Sequence, residues 1–409
     1  MTVCDGHPSK PVTPAQAGVH EHRAASRPGW MPAFAGMTGL LHRPSRTGMK
    51  GAVAALLLGC GSGAWAQAAG AGSVTVYGRV NTGIEHVRVS GSELGNLTRL
   101  SNYRSVIGFR GEEALGDGLK AIWQIEGGVS VDTGAGNIAN RDTRVGLSGP
   151  WGTVFAGVWT LPYTSATAGF DPFYPTTAGY MALMGNGSAP NATHLSDTSS
   201  FDRRQANQVQ YWSPKWKGLS ARIAHGLRED THPDTGSKPS LWSGSLSWEG
   251  GPWQLTAAHE RHHNYQTADS TDTASKLGAA WQSGPARVAA VVERLRYGTA
   301  SGELTRNAWY LSGTYRLGAG SLRVGYARAA EGKGPSAETV GFFRSGADTG
   351  ASQLTLGYEH GLSKRTALYA FYSRIRNERA AIYDFAINEI GVAAGQRPSV
   401  LAVGLRHSF

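Results

Sequence analysis

Residues 399–409 read SVLAVGLRHSF, and two kinds of side chain alternate along them. From Leu401 to Phe409 the odd positions carry mostly large side chains, and the even positions between them carry small or polar ones. Residues 119–126, LKAIWQIE, show the same two-residue period. Because neighbouring side chains of a β-strand point to opposite faces, this period predicts strands with one apolar and one polar face.

The two-residue period begins near Ser73 and recurs to the end of the chain, and we find no 3.6-residue amphipathic segment. It predicts sixteen strands, most of them about ten residues long, as a tilted strand that crosses a bilayer requires. The predicted strands are 73–89, 101–112, 118–130, 140–148, 152–160, 205–213, 219–227, 241–249, 253–261, 273–282, 286–295, 305–317, 320–330, 352–360, 366–376 and 399–409.

The connections between these strands alternate in length. Short turns rich in glycine and proline follow every second strand, at 113–117, 149–151, 250–252, 284–285 and 318–319. The intervening connections are long, at 161–204, 228–240, 262–272, 331–351 and 377–398. This asymmetry predicts an all-β fold, a 16-stranded antiparallel transmembrane β-barrel with short periplasmic turns, long extracellular loops and an aqueous lumen.

The composition fits such a barrel and excludes other classes. The 409 residues have a mean hydropathy of −0.29, and no apolar run approaches the roughly 18 residues of a membrane-spanning helix. The two cysteines, Cys4 and Cys60, lie far from the body of the chain, which excludes a disulfide scaffold and a cysteine metal site there. The net charge of +10 comes from dispersed basic residues, so no nucleic-acid partner is expected.

The start of the chain resembles an export signal. Lys50 follows Met49, residues 52–58 are apolar, and Ala64 and Ala66 form a small-x-small cleavage site. We therefore divide the chain into an upstream segment at 1–48, a signal peptide at 49–66 and a barrel at 67–409. Residues 1–48 are interpreted as translated upstream sequence, with a disordered extension as the alternative. A lipoprotein signal ending at Cys60 is a second alternative.

Several motifs resemble the trimeric general porins of Gram-negative bacteria, of the neisserial and β-proteobacterial type. They are SVTVYGR at 73–79, IGFRGEEALGDGLKA at 107–121, VGLS at 145–148, GTV at 152–154, NQVQYWSP at 207–214 and VGLRHSF at 403–409. The resemblance covers nearly all of residues 73–409. It implies a homotrimer whose third long loop folds into each barrel and faces a ladder of basic wall residues.

The resemblance also implies residues of the pore constriction. Arg79 and Arg204 match basic ladder positions, and Asp171, within residues 170–175 of the third loop, matches the constriction carboxylates. Val106 and Val158 stand where that family usually has arginines, so we expect only a weak preference for anions. Nearby basic residues that could compensate are Arg104, Arg141, Arg144 and Arg203, and Arg110 and Lys120 are further candidates for basic residues of the lumen.

The C-terminal strand resembles the family's assembly signal. Val403, Leu405 and the terminal Phe409 share one face, and the pattern is similar to the one read by the barrel-insertion machinery. The expected partners are therefore that machinery, two further copies of the chain, outer-membrane lipid and lipopolysaccharide, and small ions and hydrophilic solutes.

Motifs that suggest enzymes or cofactors have simpler interpretations. His259-Glu260-Arg261-His262-His263 matches a zinc-binding pattern that needs a helix, but it lies in a predicted strand, where i and i+4 are about 13 Å apart. No catalytic set is visible, so no enzyme, cofactor or metal is predicted. Aromatic residues near strand ends fit interfacial girdles better than a sugar-stacking track. They are Trp123, Tyr211, Trp212, Trp248, Trp253, Trp281 and Tyr315.

The sequence thus predicts a passive diffusion channel for small polar solutes and ions. A substrate-specific channel for anionic solutes or sugars is the main alternative. A closed barrel with adhesive loops is a third, which the absence of single-channel conductance would favour.

The exported protein is expected to begin at Gln67, because Ala64 and Ala66 form the well-formed cleavage site after the apolar segment. N-terminal sequencing of outer-membrane material measures this directly. An acylated Cys60, or any residue of 1–48 in the mature protein, would contradict the prediction.

Overall fold

A computed structural model describes residues 73–91, 96–187, 200–228 and 238–409. Within these ranges the chain forms an antiparallel sheet of sixteen strands that closes into a barrel, as the sequence predicted. The strands are β1 (Ser73–Ser90), β2 (Asn96–Asn102 and Ser105–Gly116), β3 (Leu119–Val129), β4 (Thr143–Gly149), β5 (Gly152–Thr160), β6 (Arg204–Trp212), β7 (Leu219–Gly226), β8 (Ser240–Gly250), β9 (Trp253–His263), β10 (Thr271–Ser283), β11 (Ala286–Thr299), β12 (Gly302–Leu317), β13 (Gly320–Ala329), β14 (Ala351–Gly361), β15 (Thr366–Asn377) and β16 (Arg397–Ser408). The predicted signal peptide, with Ala64, Ala66 and the segment 1–48, lies outside the described residues.

The barrel closes between its first and last strands. β1 pairs with β16 in an unbroken antiparallel register from Arg79 opposite Ser408 to Ser90 opposite Arg397. Beyond this register, Gly78 and Phe409 exchange two backbone hydrogen bonds of 3.0 and 3.1 Å. Each other strand pairs with its neighbours in sequence, so no strand edge of the ring is left unpaired. In hydrocarbon an unpaired edge would cost several kcal/mol per group.

The two ends of the barrel differ in their connections. At one end the strands turn within a few residues, at 117–118, 150–151, 213–218, 251–252, 284–285, 318–319 and 362–365. At the other end lie the longest connections, residues 161–203, 330–350 and 378–396. The helices among the described residues, seven and three residues long, are far too short to cross a membrane.

Two neighbouring strands are longer than predicted, which shortens the connection between them. The sequence predicted strands ending at 295 and starting at 305, but β11 and β12 continue to Thr299 and Gly302 and meet in a two-residue turn. The neighbouring connection supports this taller hairpin, because Thr305 and Lys333 exchange two backbone hydrogen bonds of 2.8 Å. Ser301, in the turn, binds the carboxylate of Glu338 through its backbone and side chain at 2.9 Å.

The second strand is longer than predicted and is broken. It begins at Asn96 rather than 101, and Tyr103 and Arg104 interrupt it. Arg104 has a positive φ of 53°, which turns its side chain out of the strand's alternation. Tyr103 still donates a backbone hydrogen bond of 2.9 Å to Asn81, so β1 keeps its neighbour across the break.

The outer face of the barrel is apolar and carries two aromatic bands. Val403 and Leu405 are 60% and 40% exposed, as expected for side chains that face lipid. Exposed aromatic residues near the short turns are Trp248, Trp253, Trp281, Tyr315 and Tyr358. A second exposed set, nearer the long loops, consists of Trp242, Trp309, Tyr326 and Tyr372. Such bands mark the two membrane interfaces.

The structure places Trp212 outside the aromatic girdle and separates the residues of the zinc-like motif at 259–263. Trp212 was predicted in the girdle, but its ring contacts Phe155 and Trp159 on the inner wall, at centroid distances of 5.1 and 5.8 Å. His259 is exposed, whereas its neighbour Glu260 is fully buried on the other face of β9. The zinc-like motif therefore divides between the two faces of a strand.

Removal of Phe409 is expected to impair barrel assembly. The deletion removes two backbone hydrogen bonds to Gly78, worth about 1 kcal/mol each, and the ring that fills the space beside Gly78. The yield of folded, heat-modifiable protein in the outer membrane should fall. The matched control is Ser408→Ala on the inner face, and equal yields from the two variants would contradict this assignment.

Candidate pore constriction

The connection between β5 and β6, residues 161–203, is called loop L3 because it is the third connection at the end of the barrel that carries the long loops. It is described at 161–187 and 200–203. Its first part is helix α1 (Pro162–Ala168), which begins with a proline, a residue suited to the first helical turn. A single 3-10 turn, Tyr180–Ala182, follows. Gly169, between them, has no neighbour within 4 Å of where a Cβ would lie.

Loop L3 lies against the inner wall of the barrel. The Ser312 hydroxyl on β12 donates to the carbonyl of Phe170 at 2.7 Å, and Arg323 on β13 donates to the carbonyl of Pro172 at 2.9 Å. On β14, the Gln353 amide donates to the carbonyl of Ala178 at 3.1 Å. These wall side chains alternate with lipid-facing residues, so the loop occupies the lumen along this side.

A buried carboxylate fixes the loop further. Glu293 on β11 is 4% exposed and accepts hydrogen bonds from the Tyr163 hydroxyl at 2.8 Å and from the backbone N–H of Gly185 at 2.8 Å. Arg306 lies 3.3 Å from the same carboxylate and donates to the Tyr383 hydroxyl at 3.0 Å. The network connects loop L3, the wall and the last long connection through fully enclosed polar groups.

Asp171 is an anchor of the loop rather than part of the pore surface. It is 5% exposed, and its carboxylate accepts hydrogen bonds from the backbone N–H groups of Phe173 and Tyr180 and from the Tyr310 hydroxyl, at 2.9 to 3.0 Å. Burial raises the pKa of Asp171 to about 6, against these hydrogen bonds, which lower it. The sequence had placed it opposite the basic wall, and burial within the loop explains the difference.

Opposite this anchored side, the lumen keeps an open cavity of about 510 Å³. Four parts of the chain line it: the connection before β4, the wall, the last long connection at Ala386–Asn388, and loop L3, which includes Tyr174 and Met181. Four arginines are among them, and we call the space the arginine cavity. They are Arg104, Arg141, Arg203 and Arg204.

Two of these arginines are held by carboxylates. Arg204 lies 2.7 Å from Asp142, and Arg141 lies 3.0 Å from Glu126. Although burial alone would raise it, the pKa of Asp142 is lowered by the Arg204 guanidinium. Burial and the positive charges of Arg204 and Arg104 lower the pKa of Arg141 to about 10. Burial is the largest cause of the shift in Arg141, and the neighbouring guanidinium groups add to it.

The other two arginines of the cavity have different supports. Arg104 donates to the Tyr174 hydroxyl of loop L3 at 3.1 Å. Arg203 is 8% exposed and packs over the ring of Tyr265 at 4.9 Å. Asp202, the only carboxylate that lines the described part of the cavity, is 4% exposed and lies 3.5 Å from the Lys276 ammonium. The accessible surface of the cavity is therefore predominantly cationic.

Arg79 does not line the cavity but holds the backbone of Arg104, which does. Its guanidinium donates to the carbonyl of Arg104 at 3.0 Å, which holds the strand break in place. Val106 lies directly opposite Arg79 on β2 and is 8% exposed, and Arg104, at the break two residues earlier, is the basic residue of β2 that lines the cavity. This placement could not be read from alternation, because Arg104 leaves the strand geometry.

The remaining basic residues predicted from sequence lie elsewhere on the inner wall. Lys120 forms an exposed ion pair of 2.6 Å with Glu112, near the short turns. Arg110 packs over the ring of Tyr77 at 5.3 Å. Arg144 lies among aromatic side chains, at 4.2 Å from the Trp159 ring centre. None of these three lines the arginine cavity.

Three further arginines were not singled out from sequence. Arg323 and Arg406 share Glu359, at 2.6 and 2.9 Å, on the side where loop L3 is anchored. Arg222 on β7 donates to Ser165 of α1 at 3.3 Å. All three occupy positions of predicted strands whose side chains alternate towards the lumen. This alternation was the signal in the sequence that could have identified them.

Comparison with known proteins is consistent with this architecture. A family model described as Gram-negative porin matches residues 52–380. Outer membrane porin protein 32 of Delftia acidovorans is 27% identical over 371 residues, which cover 88% of this chain and 99% of that protein. The major outer membrane protein P.IB of Neisseria lactamica is 25% identical, over 82% of this chain and 94% of that protein.

A solved structure shows the same fold. The anion-selective porin from Comamonas acidovorans superposes with a TM-score of 0.69 at 25% identity, over 83% of this chain and all of that one. The family match, together with the closed sixteen-stranded barrel, also locates the protein in the outer membrane. The chain belongs to the family of Gram-negative porins.

Proposed function

We propose that this protein is a passive channel through which small hydrophilic solutes and ions cross the outer membrane, with a preference for anions. The arginine cavity carries the proposal, because a solute that passes loop L3 enters a space lined by four arginines. The similarity to an anion-selective porin supports the sign of the preference. Rings of wall charge bias which ions enter a water-filled pore.

The preference should be moderate. Two of the four arginines are paired with Asp142 and Glu126, and Asp202 is offset by Lys276. An unpaired charge about 4 Å from an ion, at an effective dielectric constant near 20, contributes about 4 kcal/mol. Screening over a Debye length of about 8 Å at physiological salt reduces that strongly. Each arginine should therefore change permeability ratios without deciding conduction by itself.

We assign different roles to the three residues that the sequence predicted at the constriction. Arg204 borders the cavity and acts on ions directly. Arg79 acts through Arg104, whose carbonyl it binds. Asp171 contributes the position of loop L3, because its carboxylate is enclosed by Phe173, Tyr180 and Tyr310.

The same proposal includes the assembly and partners of the channel. We propose a homotrimer, as the family resemblance implies, inserted by the barrel-insertion machinery through the terminal strand and surrounded by lipid and lipopolysaccharide. The exposed apolar outer face, with Val403 and Leu405 in it, is the surface available for these contacts. Gel mobility of unheated protein and chemical crosslinking report the trimer.

Reversal potentials in a KCl gradient across a planar bilayer test the selectivity. The wild type should favour chloride, and Arg104→Ala and Arg204→Ala should each shift the permeability ratio towards cations, by about twofold after screening. Arg79→Ala should shift it in the same direction if Arg104 loses its support.

Asp171→Asn tests the different role assigned to Asp171, because it removes a charge of loop L3 that does not face the cavity. It should leave the reversal potential nearly unchanged. A cation-selective wild type, or arginine variants with wild-type reversal potentials, would contradict the proposed site. The absence of any conductance would contradict the channel itself.

Loosening the anchor of loop L3 should make the open channel unsteady. The double substitution Tyr310→Phe and Ser312→Ala removes the hydroxyls that hold Asp171 and the Phe170 carbonyl. Single-channel recordings should show larger current fluctuations than in the wild type. Thr314→Ala, further along β12, is the control, and equal noise in all three proteins would show that these bonds do not hold the loop.

A further inference from the structure

We propose that the lumen contains a binding site for aromatic carboxylates, formed by Arg144, Arg222, Trp159 and Trp212. The inference rests on the proposed channel function and specifies a class of solute for it. The site is separate from the arginine cavity, since none of its four residues lines that space.

Arg144 is packed among three aromatic rings on the inner wall. Its guanidinium carbon lies 4.7 Å from the ring centre of Phe155, 4.2 Å from that of Trp159 and 4.9 Å from that of Trp212. The rings meet one another edge to face, at centroid distances of 5.1 to 5.8 Å. Attraction between cation and ring faces thus fixes a positive charge and a rigid aromatic surface together.

A second cation approaches the same indole. The guanidinium carbon of Arg222 lies 4.5 Å from the ring centre of Trp212, and β6 and β7 place these two residues directly opposite each other. Trp212 is therefore contacted by two guanidinium groups. Arg222 is exposed and donates a hydrogen bond to the Ser165 hydroxyl of α1. The site therefore lies beside the helix of loop L3.

The two cations have no carboxylate partner among the described residues, unlike several other arginines of the lumen. Arg204, Arg141 and Arg323 each lie within 3.0 Å of a carboxylate oxygen. Nε and Nη1 of Arg144 are buried with no hydrogen-bond acceptor in the described structure. Two neighbouring positive charges without a counter-charge favour an anion at this place more strongly than paired arginines do.

The surroundings determine which anion fits. The planar fork of an exposed guanidinium such as that of Arg222 matches a carboxylate with two parallel hydrogen bonds. Trp159 and Trp212 are only partly buried, so they leave indole surface for a second ring to contact. A solute with a carboxylate attached to an aromatic ring satisfies both features at once, whereas chloride or an aliphatic acid satisfies only the charge.

Channel block by small carboxylates tests the site on the intact protein. Benzoate should reduce KCl conductance of the wild type in a saturable manner, and its half-blocking concentration should be about fivefold lower than that of cyclohexanecarboxylate. The two acids have similar size and the same charge, so the difference reports the aromatic contact. Equal block by both, or no saturable block, would overturn the proposed site while KCl conductance still supports the channel.

Two variants assign the effect to these residues. Trp159→Leu should raise the half-blocking concentration of benzoate towards that of cyclohexanecarboxylate, and Arg222→Lys should raise it for both acids. Arg287→Lys is the matched control, because Arg287 is an inner-wall arginine that also lies over a ring, 5.7 Å from that of Phe170. Benzoate block as strong in the two site variants as in the wild type, or block weakened equally in the control, would overturn the assignment. A wild type that conducts no KCl would instead overturn the channel function.

Discussion

The structure depends on one constraint, that backbone polar groups inside hydrocarbon must be paired within the protein. A sheet satisfies it only when its first and last strands meet, and the register of β1 with β16 completes that ring. Because the ring is hydrogen-bonded throughout, its side chains are divided between lipid and lumen. The outer face can then be apolar, and the inner face is free to carry the charges on which a channel depends.

Because the outer face contacts lipid, the buried apolar cluster of this protein lies inside the barrel. The largest buried apolar cluster lies inside the ring, where Phe170, Phe173 and Leu183 of loop L3 pack with wall residues such as Val291 and Phe371. Enclosed polar groups around Glu293 hold the same side. The lumen is therefore filled on one side and open on the other, and the open side is the one with the arginine cavity. The anchored loop determines the width, and the wall determines the sign of the charge.

The sequence was sufficient for the ring and less so for its interior. Alternation located all sixteen strands, because lipid on one side and water on the other impose it on every strand. It failed where tertiary contacts overrode it: at Arg104, whose positive φ breaks β2, and at Ala300 and Ser301, where loop contacts extend a hairpin. It also could not show that Asp171 is enclosed or that Trp212 faces inward, since both depend on how loop L3 and neighbouring side chains pack.

The seam at Gly78 and Phe409 has a consequence for the order of events in folding. The residues that complete the ring are separated by nearly all the strands of the barrel, so their contact requires the longest loop closure in the described sheet. Phe409 joins the two ends of the sheet, so the ring stays open until this residue pairs with Gly78. Until then the sheet carries two unpaired edges, which a chaperone or an insertion partner would have to cover.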